Sequence, residues 1–201
     1  MREFIIPEDG LVIKTDQGRP ILELSIQAGG NIVRMFGADG VPKIALAAYG
    51  DTGTLIIGDP LKSGLVISVS EDVGEISITN SGKHVVLAID KAHSELSFVN
   101  ADKVITNKIY VDEKGGQISL GDQEGNLLMS AGGGEQGGVC HLMNKKSDTV
   151  VALASNEGNG NITLLDKDGN LRVMIGNKDD GNIYLVDKDG HVIWTTSRLQ
   201  L

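Results

Sequence analysis

The sequence predicts an all-β protein made of nine tandem copies of a two-strand hairpin unit of roughly 21 residues. Three observations predict it. Apolar residues alternate with polar ones at period two, the signature of strands with one buried face. A residue of the Asp/Asn type recurs at a fixed place in almost every unit. Glycine is abundant, at 27 residues, while proline numbers only 4. That balance marks many tight turns in an ordered chain.

The units start at Gly10, Gly30, Gly53, Gly74, Ser94, Gly116, Gly138, Gly160 and Gly181. Counting from each start, positions +2 and +4 are apolar, as in Leu55/Ile57, Ile76/Ile78, Leu96/Phe98, Ile118/Leu120, Ile162/Leu164 and Ile183/Leu185. A second alternating run begins near +11 and gives Val85/Leu87/Ile89, Leu171/Val173/Ile175 and Val192/Trp194; in the third unit it shifts by one, to Leu65/Ile67/Val69. Position +6 holds Asp16, Asp59, Asn80, Asn100, Asp122, Asn144, Asp166 and Asp187; Phe36 breaks the rule in the second unit. Asp and Asn open turns because their short side chains bond the backbone two residues on. Glycine follows two or three positions later in several units, among them Gly169 and Gly190. The pattern fits a type I turn closed by a left-handed glycine, hence a β-hairpin. The other junction of each unit reads as looser and glycine-rich, as in 176–181. Units one, two and five are the least regular, and Asn107 in unit five stands where an inward apolar residue is expected. It signals a bend, a bulge or a polar layer.

The boundaries that follow are a lead segment over 1–9, a nine-unit repeat domain over 10–196 and a tail over 197–201. An open sheet of such hairpins would expose on the order of 1,000 Å² of apolar surface, more than a soluble monomer tolerates. The apolar face must be covered. Either the chain coils as a β-solenoid, or three chains each supply one wall of a β-prism. A propeller closes poorly with nine units. Tight hairpin turns favour the homotrimeric prism. Aromatics are only 3 % of the residues, and small aliphatics suit thin repeated layers better than one ring-filled centre.

The stretches Asp166-Lys167-Asp168-Gly169-Asn170-Leu171 and Asp187-Lys188-Asp189-Gly190-His191-Val192 resemble the Asp-x-x-Gly core of β-hairpin repeat proteins, including the tyrosine-aspartate repeat shells of bacterial toxins. In the toxin shells a Tyr precedes the Asp; here Leu165 and Val186 do. More broadly, the chain is similar in architecture to β-solenoid proteins and to the repetitive shafts of phage and virus fibres. That resemblance implies a structural part of a larger particle.

Charge and motif content narrow the function. A net charge of −9 argues against nucleic acid, which needs a clustered positive face, and against an anionic membrane surface. No apolar run is long enough to insert in a bilayer. The N-terminus lacks a signal-peptide core, so the expectation is synthesis in the cytoplasm, with a virion or other particle as a destination. Cys140 is the single cysteine; it occupies a +2 position and reads as a small buried hydrophobe. No Cys/His pair has zinc spacing. The histidines His84, His93, His141 and His191 read as exposed polar residues, with His84 and His191 sharing a turn position at +10.

No cofactor is expected. Asp166-Lys167-Asp168-Gly169-Asn170 is similar to half of an EF-hand loop, but no bidentate Glu or flanking helix follows. Stacked acidic turns would bind calcium only weakly, because neighbouring carboxylates repel one another. Residues 132–138 are dense in glycine but carry no Gly-Lys-Ser/Thr, so they form no phosphate loop; they read as a flexible junction. No Gly-x-Ser-x-Gly elbow occurs. The expected function is therefore non-catalytic: a fibre or shaft segment. The alternative is a monomeric β-solenoid that binds a glycan or protein receptor, and the remote one is a polysaccharide-cleaving solenoid enzyme.

Overall fold

The computed structural model describes residues 6–27, 29–134, 137–156, 158–176 and 181–196. Parts of the lead segment, of the 132–138 and 176–181 junctions, and all of the 197–201 tail lie outside them. The chain divides into two units, Met1–Lys103 and Val104–Leu201, and the division falls inside the irregular fifth repeat. The first unit holds β1 (Leu11–Lys14), β2 (Pro20–Gln27), β3 (Gly30–Phe36), β4 (Pro42–Tyr49), β5 (Thr52–Asp59), β6 (Ser63–Val69), β7 (Val73–Asn80), β8 (Lys83–Asp90) and β9 (His93–Val99). The second holds β10 (Ile105–Asp112), β11 (Gly115–Gly121), β12 (Leu127–Gly134), β13 (Gly137–Met143), β14 (Thr149–Asn156), β15 (Asn159–Leu165), β16 (Leu171–Gly176), β17 (Asn182–Val186) and β18 (Val192–Thr195). The protein is all-β, with two strands per repeat and no helix among the described residues. Accordingly, no helix is long and apolar enough to cross a membrane.

Within each unit every strand pairs antiparallel with the next in sequence, from β1–β2 through β8–β9 and from β10–β11 through β17–β18. Among the described residues each strand touches only its sequence neighbours, so each unit is a single open layer.

The register sorts residues onto two faces. In the first unit, one rank across the sheet runs Ile13, Leu22, Met35, Ile44, Ile57, Leu65, Ile78, Val85, Phe98. The rank beside it runs Leu11, Leu24, Val33, Leu46, Leu55, Ile67, Ile76, Leu87, Leu96. From the third repeat on, the +2 and +4 apolar positions thus line one face; in repeats one and two the +2 residues Val12 and Ile32 lie on the other. The opposite face mixes Ser, Thr, Glu and Arg with small aliphatics, as in the rank Ser25, Ile32, Ala47, Thr54, Ser68, Glu75, Ala88, Glu95. The cross-strand pair Glu23–Arg34 forms an ion pair at 2.9 Å on that face.

A repeated bulge shapes the hairpins. The register slips at Ile13/Lys14, Met35/Phe36, Leu120/Gly121, Leu142/Met143, Leu164/Leu165 and Leu185/Val186, always one step before a turn. An extra residue there strengthens the local twist and lets the strand enter a three- to five-residue loop.

Two expectations about the junctions change. The end of the hairpin predicted to be looser is tight: Tyr49 pairs with Thr52 across Gly50-Asp51, and Asp112 with Gly115 across Glu113-Lys114. Gly50 at φ 54° supplies the first central residue that a type II′ turn requires. The glycine-dense segment is no loose junction either, since Gly133 pairs with Gly138 and Gly134 with Gly137. Glycines without side chains leave nothing to obstruct a ladder.

Candidate functional site

Turn chemistry comes first, because it fixes where the hairpins end. Six turns share one bond pattern. The opening residue's N–H donates to the carbonyl four residues on, and the N–H three residues on donates back to the opening carbonyl. Thr15, Gly37, Asp122, Asn144, Asp166 and Asp187 open these turns. The fourth residue has positive φ each time: Gly18, Gly40, Gly125, Ser147, Gly169 and Gly190. In four of them the opening side chain accepts two further amides. Asp166 Oδ1 accepts from Asp168 (2.9 Å) and Asn170 (3.0 Å), and Asp187 Oδ1 accepts from Asp189 (2.8 Å) and His191 (2.9 Å). Asp122 and Asn144 do the same with Glu124/Asn126 and Lys146/Asp148.

The other predicted turn residues sit differently. Asp16 is the second residue of its turn; Thr15 opens it and takes the Arg19 amide on its hydroxyl. In the second unit the opener is Gly37, not Phe36, and Asp39 caps the loop by accepting from Val41. Asp59 accepts from the Leu61 amide at 3.0 Å, and Asn100 from Asp102 at 2.9 Å. Asn80 pairs with Lys83 across Ser81 (φ 51°) and Gly82 (φ 79°), a two-residue type I′ turn. Asp90 and Asp112, at the opposite end of the hairpins, are Asx acceptors that the repeat register did not single out: Asp90 takes the amides of Ala92 and His93, and Asp112 that of Lys114. A period-two reading passes over them because they fall at the ends of strands.

Charge follows from these bonds. The Asp166 carboxyl is held far below the usual carboxylate range, first by the Asn170 amide and then by Asp168 and the Arg172 guanidinium. Arg172 bonds both the Asp166 carboxylate and the Asp187 carbonyl, joining the last two turns. Asp187 is lowered chiefly by the His191 amide, and Asp122 by the Asn126 side chain. Asp187, Asp189 and His191 bring three potential ligand atoms within 4.8 Å of one another. Two features count against a cation there. Asp187 Oδ1 is already taken by two amides, and Lys188 Nζ sits 3.0 Å from both Asp189 oxygens.

The remaining candidates are placed by the register. His84 is not a turn residue. Because its turn has only two central residues, +10 falls inside β8, and His84 Nδ1 lies 3.0 Å from Oγ1 of the buried Thr79. His93 and His141 are half-buried and His191 is exposed; His93 pairs with Asp90 at 2.9 Å. Cys140 is half-buried and stands in an apolar rank between Ala131 and Leu153. Asn107 marks no bulge in the β10–β11 ladder, where it pairs with Leu120.

The largest unsatisfied feature is the apolar face. Of the eighteen side chains in the two ranks of the first unit, eight are exposed, between 37 % (Leu87) and 52 % (Ile78), and ten are half-buried, while Ile32, on the opposite face, is the one buried apolar side chain among the described residues. In the second unit the face forms a shallow cup of about 790 Å³ where Ala131, Cys140, Gly138 and Gly160 replace larger groups. The chain presents 14171 Å² to solvent, whereas a folded monomer of 21.2 kDa ordinarily presents about 9,000 Å². The excess, about 5,000 Å² on one chain, is larger than the roughly 1,000–2,500 Å² per partner that obligate interfaces bury. No protein-family model matches the chain, and no curated protein is significantly similar to it.

Proposed function

We propose that this protein is a non-catalytic structural repeat, a fibre or shaft segment of a larger particle such as a phage tail, in which three copies pack apolar face to apolar face. The exposed one-sided apolar face carries this reading. Contiguous apolar patches beyond a few hundred Å² mark interaction surfaces, and here exposed and half-buried apolar side chains recur from strand to strand within each unit.

Geometry supports three walls. Strands of seven or eight residues make a wall about 23–27 Å wide. In an equilateral prism of that side the axis lies about 7 Å from each wall. That is about 2 Å more than half the ~10 Å spacing of packed sheets, within reach of Leu, Ile and Met side chains. Four walls would leave a hollow near 12 Å from wall to axis. Strands running across the prism stack along it at ~4.8 Å per strand, so length grows with repeat number, as a shaft requires.

Light-scattering mass tests the reading. The expected result is three times the 21.2 kDa chain. A mass of two chains replaces the prism with a two-sheet sandwich. A stable monomer rules out the prism and favours the solenoid module with a glycan or protein receptor. A polysaccharide-cleaving activity would require reducing ends released from a glycan panel.

A further inference from the structure

Asn107 is the one polar side chain in the four inner ranks of the apolar face. Its rank reads Asn107, Leu120, Met129, Leu142, with Val151 onward equally apolar as far as Trp194. The corresponding ranks of the first unit are apolar throughout. The side chain is half-buried, and its amide makes no hydrogen bond among the described residues. The β10–β11 ladder runs from Asn107 to Asp112 without a register shift, so no bulge in that ladder accounts for it.

We infer that Asn107 is a register lock: in the assembly, the Asn107 amides of neighbouring copies meet and hydrogen-bond one another across the apolar core, fixing how the chains align along the shaft. This rests on the trimer reading. Its physical basis is the sameness of the repeat. A copy displaced by one hairpin, about 9.6 Å along the axis, would still set Leu and Ile against Leu and Ile. Uniform apolar ranks therefore specify alignment weakly. An amide carries both donor and acceptor, so aligned copies satisfy each other, whereas a slipped copy buries each amide against aliphatic carbon with nothing to bond. A single polar residue in an apolar seam fixes register and partner number in coiled coils by the same logic, at a cost in stability.

The test uses the full chain with Cys140→Ala and Lys146→Cys, spin-labelled on the exposed turn. Pulsed dipolar spectroscopy is expected to give one narrow distance in the assembly. Asn107→Val is expected to raise the melting temperature yet broaden the distances or change the mass, while Asn107→Ser, which stays polar, keeps them narrow. An unchanged narrow distribution and mass in Asn107→Val would overturn the register lock and leave the trimer standing. A monomeric parent chain, seen first by mass, would overturn the trimer itself.

Discussion

Four turns open on an Asx acceptor that takes two amides, and this is chemistry one side chain wide. Replacing Asn144 by Ala strips acceptors from the amides of Lys146 and Asp148; about 1 kcal/mol of stability is expected to go, read by chemical denaturation. Lys103 stands at φ 65°, where five of the six related turns place glycine. Lys103→Gly is therefore expected to stabilise by up to about 1 kcal/mol, while Gly169→Ala, at φ 81°, should cost a similar amount. The acceptor was legible in the sequence because Asp and Asn recur at one position. That Thr15 and Gly37 open their own turns was not, because they stand one place before and one place after the counted position and neither is Asp or Asn.

Hairpins are the next scale. Their turns carry carboxyls whose pKa is lowered on folding: Asp122, Asp166, Asp187 and Asp90. Folding therefore favours the ionised form. The stabilisation is complete above the unfolded value of about 3.9 and disappears as pH falls through the lower folded values. The melting temperature should be flat from pH 7 to about 5 and fall progressively below that. The Asp187–Asp189–His191 turn is expected to melt at the same temperature with or without EDTA, since its groups are already paired. Gly115 tests the other hairpin end. A Cβ there would overlap the Gly133 carbonyl oxygen, so Gly115→Ala should cost about 2–4 kcal/mol and deprotect β11 and β12 in hydrogen exchange. Sequence reading took these ends for loose linkers because glycine density alone does not separate a tight turn from a slack one.

At the scale of the whole molecule the two faces predict opposite outcomes for one added charge. Leu87→Lys places a cation in the apolar ranks and should abolish assembly, seen as a drop to monomer mass or as aggregation. Ala88→Lys lies one residue away but opposite Glu75 and Glu95 on the polar face, and should leave mass and melting temperature nearly unchanged. If both variants assemble alike, the apolar face is not the contact surface.

The sequence by itself determined the two-strand repeat, the shared face of the +2 and +4 apolar residues in repeats three to nine and the turns at Asp122, Asn144, Asp166 and Asp187. Each follows from local rules, namely period-two alternation and a side chain reaching its own backbone. Only the tertiary structure decided the rest. It showed that Asn107 keeps register opposite Leu120, that His84 reaches Thr79 from inside a strand, that the glycine runs pair as strands, and that each unit is a single layer with its apolar face open. These depend on which strands lie side by side, and one bulge or one shortened turn, invisible to a repeat count, changes that pairing.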